Sequence, residues 1–225
     1  MGELVSFKAN GRTANGYLAI PGSGRGPGVI VIQEWWGLVG HITDVADRFA
    51  NEGFVALAPD LFHGEKTKSP DDAGKLMMAL NIAEAGKDLN GAAQYLVGVE
   101  GVEPKKVASI GFCMGGQLSL FAACEFPDVI GACVDFYGVH PAVKLDFSRL
   151  SSPVLAHFAT RDTLTPPDAA NALVDRIKNA GKRIDAYFYD ADHAFFNDQR
   201  PAVYNEQAAT LAWRRTIDFL RKTLV

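Results

Sequence analysis

Cysteine is scarce in this chain of 225 residues: Cys113, Cys124 and Cys133 are the only three, and no two are spaced as C-x-x-C. An odd, scattered set excludes a disulfide framework and a cysteine-based zinc site. It fits free thiols in a reducing compartment, so a cytoplasmic location is expected. Runs of Lys or Arg are also missing. Basic residues number 22 against 26 acidic ones, for a formal net charge of −4, which leaves nucleic acids and anionic membranes little electrostatic hold. No segment approaches the ~20 consecutive apolar residues that span a bilayer. The opening Met-Gly-Glu-Leu-Val-Ser-Phe-Lys has no basic region followed by an apolar core, so no secretory signal is read. There is no HExxH and no other metal constellation, and no metal or cofactor is expected. What remains is an ordinary globular composition, 48% apolar and 21% charged, which excludes disorder, collagen and coiled coil. A chain this long buries roughly 70% of its unfolded surface without covalent help. The expected partner is a small molecule, and the expected state a monomer or weak homodimer.

Pattern along the chain points to an α/β fold. Residues 4–8 and 13–20 alternate loosely around Gly11 and read as an antiparallel pair. After a Gly-rich turn at 21–28, short apolar runs at 28–33, 54–58 and 107–111 read as strands buried on both faces. Further strands are read at 130–136, 154–159 and 184–189. Helical spacing falls between or after them, at 41–51, 70–98 (with one break near Gly86), 115–126, 166–179 and 206–224. Such alternation implies a mostly parallel central sheet with helices on both faces. No repeat or long linker divides the chain, so residues 1–225 read as one domain. In such sheets ligands bind beyond the carboxyl ends of the strands.

That rim is where the reactive residues fall. Gly111-Phe112-Cys113-Met114-Gly115 is G-x-C-x-G between a strand and a helix, the context of a nucleophile elbow with Cys in the place usually held by Ser. The glycines make room where strand and helix close on the turn. The turn lifts the Cys113 sulfur to a helix N-terminus, whose dipole favours a thiolate. The Met114 backbone N–H would face the oxyanion of an attacked carbonyl. Asp162 follows the strand at 154–159, and His193 follows the strand at 184–189. Nucleophile, acid and histidine thus occur in the α/β-hydrolase order, with His193 as general base and Asp162 orienting its ring. Asp190 and Asp192 are nearer to His193 in sequence and compete for the acid role if Asp162 points away. Cys124, Cys133 and the other histidines read as packing or loop residues. The stretch Gly22-Ser23-Gly24-Arg25-Gly26-Pro27-Gly28 precedes a strand and lacks G-x-G-x-x-G spacing, so it reads as a turn, not a dinucleotide loop.

With these residues in place the chain resembles the dienelactone hydrolases, the carboxymethylenebutenolidases of the α/β-hydrolase superfamily. The resemblance spans nearly the whole chain. It rests on Gln33-Glu34-Trp35-Trp36-Gly37, Ala58-Pro59-Asp60-Leu61, Gly111-Phe112-Cys113-Met114-Gly115-Gly116 and the Asp162 and His193 loops. It implies an α/β-hydrolase fold and a hydrolase that opens a lactone or ester through a thioester on Cys113. It also implies that Glu34 lies beside the thiol and helps draw off its proton once substrate displaces it. On physical grounds a neighbouring carboxylate opposes thiolate formation until then. Further implications are the Trp35 N–H as second oxyanion donor, and Trp35, Trp36 and Tyr137 as pocket walls. One departure stands out. The family's well-known enzymes hold a substrate carboxylate with two arginines, one of them four residues after the histidine, where this chain has Asn197, expected to touch the substrate there through neutral hydrogen bonds. Lys66, Lys68, Lys75 and Arg200 are the candidate replacements. Other readings stay open: a broad-range carboxylesterase or thioesterase, a non-catalytic hydrolase-fold binding protein, and a redox-sensing thiol protein with Cys124 or Cys133 as resolving partner.

Overall fold

The computed structural model describes residues 2–9, 11–140 and 143–224. Its eight strands, β1 (Glu3–Ala9), β2 (Arg12–Ala19), β3 (Gly28–Ile32), β4 (Val55–Pro59), β5 (Val107–Phe112), β6 (Ile130–Phe136), β7 (Val154–Ala159) and β8 (Ile184–Tyr189), form one sheet in the order β1-β2-β4-β3-β5-β6-β7-β8. β2 runs antiparallel to both its neighbours, and every later pairing is parallel. Parallel neighbours need long crossovers, and helices supply them. The helices are α1 (Gly40–Asn51), α2 (Pro70–Ala79), α3 (Ile82–Gly98), α4 (Met114–Glu125), α5 (Pro167–Asn179) and α6 (Glu206–Leu224). Cores lie on both faces: α1 and α6 pack on one, α3, α4 and α5 on the other. The α/β-hydrolase reading of the sequence holds at the level of the fold.

Burial explains the sequence pattern. Every residue of β3, β4, β5 and β7 is buried, hence their unbroken apolar runs. In α1, Ile42, Val45, Ala46 and Phe49 make one buried stripe. Helix α4 is buried almost all round, which is why it carries no polar face. Among the described residues no helix is long and apolar enough to cross a membrane.

One boundary differs from the sequence reading. The long helical stretch breaks at Leu80–Asn81, not at Gly86. The Asn81 side chain accepts from the backbone N–H groups of Ala83 and Glu84, at 3.0 and 3.2 Å, and caps a new helix. Gly86 instead lies inside α3, where a Cβ would stand 2.6 Å from Cε1 of Phe121 on α4. Its glycine records close helix packing, which a local reading takes for a break. The Gly-rich stretch before β3 is a turn, with the Gly24 N–H donating to the Pro21 carbonyl at 2.8 Å.

Candidate active site

The carboxyl ends of β3, β5, β6, β7 and β8 carry Glu34, Cys113, Tyr137, Asp162 and His193 onto one rim. Cys113 joins β5 to α4 with φ 55° and ψ −120°. A non-glycine residue held there costs about 1–3 kcal/mol and needs its surroundings to enforce it. They do so directly: the Cys113 N–H donates to the Phe136 carbonyl, and the Gly116 N–H donates to the Cys113 carbonyl, both at 2.9 Å. A Cβ on Gly115 would lie 2.5 Å from the carbonyl oxygens of Ile32 and Gln33, and one on Gly111 would run into the Gly115 carbonyl. Glycine is required at both places for the tight crossing itself. Among the described residues, neither the Met114 nor the Trp35 backbone N–H has a hydrogen-bond acceptor.

His193 faces Cys113 across the cavity, and its Nδ1–H donates to Asp162 Oδ2 at 2.7 Å. Asp162 is fixed in turn. Its other oxygen accepts from the Leu164 and Thr165 N–H groups at 2.8 and 2.7 Å. Asp190 and Asp192 both pair with Arg161 instead, so they do not take the orienting position beside His193. Burial by itself would lower the His193 pKa. The hydrogen bond to Asp162, and the negative charge of the Cys113 sulfur when it is a thiolate, overcome it, and with that thiolate present the pKa is raised to about 10.

Glu34 is 1% exposed. Its Oε2 accepts from Asn197 Nδ2 at 2.8 Å, while Oε1 is buried without a partner. Asn197, which by its place four residues after the histidine was expected to touch substrate, therefore stands behind Glu34 and is not among the residues lining the cavity. Its amide NH₂ donates to Glu34, and its oxygen accepts from the Gln199 N–H at 3.1 Å. Gln33 accepts from the Leu61 N–H at 3.2 Å and ties the loop after β3 to the loop after β4. Buried His41, against Phe112 and Phe196, has its pKa lowered by desolvation and stays neutral.

Cys113 and His193 open into a cavity of about 440 Å³. Trp35 and Trp36, set edge to face with centroids 5.0 Å apart, line this cavity together with Met114 and Tyr137. Met77, Leu164 and Val203 add apolar surface that no local signal announced. Of the candidate cations, Arg200 alone is on this wall, its guanidinium 5.2 Å from the centre of the Trp36 ring. Among the described residues it forms no ion pair. Lys75 pairs with Asp72 on the surface of α2, Lys66 lines a separate hollow beside Asp60, and Lys68 is outside the cavity wall. Arg161, which the sequence reading passed over, also borders the cavity but is engaged by its two aspartates. Cys124 and Cys133 are buried away from it. Desolvation pushes the Cys124 thiol up to about 12 and that of Cys133 higher still.

Comparison with known proteins points the same way. The model of the dienelactone hydrolase family matches residues 14–224. Protein usf of Aquifex pyrophilus is 38% identical, each chain covered completely. A carboxymethylenebutenolidase from a Pseudomonas species is 31% identical over 98% of this chain and 94% of its own. Among solved structures, a dienelactone hydrolase-like promiscuous phosphotriesterase from metagenomic libraries superposes with a TM-score of 0.89 at 24% identity, covering 100% of this chain and 99% of the other. That last likeness concerns the fold.

Proposed function

This chain belongs to the dienelactone hydrolase family, hydrolases of lactones and esters, and from that premise we propose that it opens its substrate by acyl transfer to Cys113. The observation that carries the reading is one arrangement: a cysteine forced to the head of α4, facing a histidine that an aspartate holds at 2.7 Å. In this mechanism the substrate carbonyl lies over Cys113 with its oxygen toward the Met114 and Trp35 N–H groups. The thiol proton passes to His193 Nε2. The thiolate attacks, and the imidazolium returns the proton to the departing oxygen, leaving a thioester. Once sulfur is acylated its charge is gone, and with it one of the interactions that lift the His193 pKa. The ring, neutral after handing its proton to the leaving oxygen, then stays neutral more readily and can accept the proton of the water that hydrolyses the thioester. Trapping the acyl group on Cys113 by mass spectrometry, with a slow ester and an acid quench, tests the proposal directly. An adduct on another side chain would overturn it.

Glu34 fits the role of trigger. Its free oxygen is buried with nothing to bind, a costly state unless a proton or substrate group arrives there. Glu34→Gln is expected to slow acylation roughly 100-fold, the scale of a positioned proton acceptor. The same change should make Cys113 alkylate faster in the absence of substrate, because a like charge is removed. Measuring both rates separates this role from a merely structural one, in which neither would move in that way.

Arg200 is the group proposed to hold a substrate carboxylate. A guanidinium offers charge-assisted paired hydrogen bonds, which Asn197 could not give even if it faced the cavity. Arg200→Met should therefore weaken kcat/KM for a carboxylate-bearing lactone roughly ten- to a hundredfold, and leave that for its methyl ester within about twofold. Equal losses for both would return Arg200 to a packing role on Trp36.

A further inference from the structure

Three of the buried polar atoms that lack a hydrogen-bond partner belong to residues lining the cavity with Cys113: Glu34 Oε1, His193 Nε2 and the Tyr137 hydroxyl. The first two are the proton acceptors that a thiol needs, and the mechanism above uses them. The third is unexplained. Tyr137 is completely buried, and burial, reinforced by Glu34 and Cys113 nearby, raises its pKa well above the ordinary phenol value. The phenol thus keeps its proton and acts as a donor.

Its position is held with unusual care. Tyr137 follows β6 with φ 45°. Its N–H donates to the His157 carbonyl at 2.8 Å, and its carbonyl accepts from Thr165 Oγ1 at 3.0 Å. The ring packs edge-on against His193 and Phe195, with centroids 5.1 and 5.4 Å away. A strained backbone, pinned at both ends, thus holds a cavity-lining tyrosine whose buried hydroxyl has nothing to donate to. A neutral thiol is a poor acceptor, whereas a thiolate is a strong one.

We propose that Tyr137 is a catalytic residue whose hydroxyl donates a hydrogen bond to the Cys113 sulfur when that sulfur carries negative charge. The proton stays on the phenol, and the thiol proton still goes to His193. The hydrogen bond forms as the thiolate appears, is lost in the thioester, and forms again as sulfur leaves during hydrolysis. An interaction made chiefly with the developing charge accelerates both steps, while one present throughout would accelerate neither. The proposal rests on Cys113 as nucleophile.

Other charged groups border the same cavity or lie just behind it. Glu34 stands on the loop after β3, and Asp135 is buried near the end of β6. From the loop after β7 come Arg161 and Asp162; from the loop after β8 come Asp192, His193 and Arg200; and His140 borders the cavity beyond β6. Tyr137→Phe alters none of them and keeps the ring.

The test measures iodoacetamide alkylation against pH, with adducts mapped by mass, beside pre-steady-state acylation of a chromogenic ester. In Tyr137→Phe the pH of half-maximal Cys113 alkylation should rise by about one unit, and acylation should slow about ten- to a hundredfold, the weight of one hydrogen bond to a charged group. Thermal stability should be unchanged or higher, since the lost hydroxyl was buried without a partner. Tyr137→3-fluorotyrosine, a stronger donor on the same ring, should move the alkylation midpoint the other way. If Tyr137→Phe changes both rates less than twofold while wild-type adducts map to Cys113, the tyrosine role is overturned and the cysteine mechanism stands. If wild-type inactivation maps elsewhere, both are overturned together.

Discussion

Cys113→Ala is expected to lower kcat/KM by roughly 10⁴-fold or more, the scale seen when a nucleophile is removed from a hydrolase triad. Cys113 stands at the crossing of β5 and α4 and shares its cavity with His193, Met114 and Trp35, the last two with N–H groups that have no acceptor among the described residues. The loss should come without unfolding. Alanine accepts the φ of 55° at the same cost as cysteine, and the strand and helix packing around Gly111 and Gly115 is untouched. Cys113→Gly should go further and melt higher than wild type, because glycine enters that region freely. Partial alkylation followed by mass mapping checks the assignment independently. Activity should disappear in proportion to modification of Cys113, while Cys124 and Cys133, buried and raised in pKa, should react slowly. Inactivation that followed either of those thiols would leave the proposed mechanism without its nucleophile.

The second large effect belongs to the acid. In Asp162→Asn the side-chain oxygen can still accept from Leu164 and Thr165, so the loop should hold. The amide NH₂ would then face His193 Nδ1, forcing the ring to turn a lone pair toward it and place its proton on Nε2. Nε2 could no longer accept the thiol proton. A fall in kcat of about 10³- to 10⁴-fold is expected. The His193 pKa should fall as well, because desolvation would meet less opposition.

A stability measurement follows from the same pairing. In the wild type the bond to Asp162 raises the folded His193 pKa above its ordinary 6.5, to about 10 when the Cys113 sulfur is ionised. A raised basic group stabilises the fold fully below the unfolded value and loses that contribution as pH climbs through the folded one. The wild-type Tm should therefore decline between pH 6.5 and about 10 by more than the Asp162→Asn Tm does. Parallel Tm curves for the two proteins across that window would show that the pairing does not stabilise the folded state.

Much of this molecule was legible before its structure. Buried parallel strands need apolar residues on both faces, and covering helices need them every third or fourth position. Both requirements leave periods in the sequence, and the reading found every strand and nearly every helix within two residues. The elbow was legible for a steric reason: two backbones cross too closely for a side chain at Gly111 or Gly115. That constraint is written locally and carries Cys113 with it. The order cysteine, aspartate, histidine after β5, β7 and β8 was equally a matter of topology.

What the tertiary structure decided is where side chains of similar kind point. Asp162, Asp190 and Asp192 all stand near the rim, and only the bond at 2.7 Å to His193, with Arg161 engaging the other two, tells them apart. Asn197 and Glu34 meet across 163 positions of sequence, so no local pattern could show that the amide faces its own chain and not a ligand. Four cations were candidates for the cavity, and packing on Trp36 selected Arg200. Gly86 looked like a helix break because close approach to Phe121, far along the chain, leaves the same local mark as a turn. Local sterics and periodicity repeat along a chain and are therefore readable in it. Direction, burial and the partner of each polar atom depend on contacts between distant segments, and those exist only once the chain has folded.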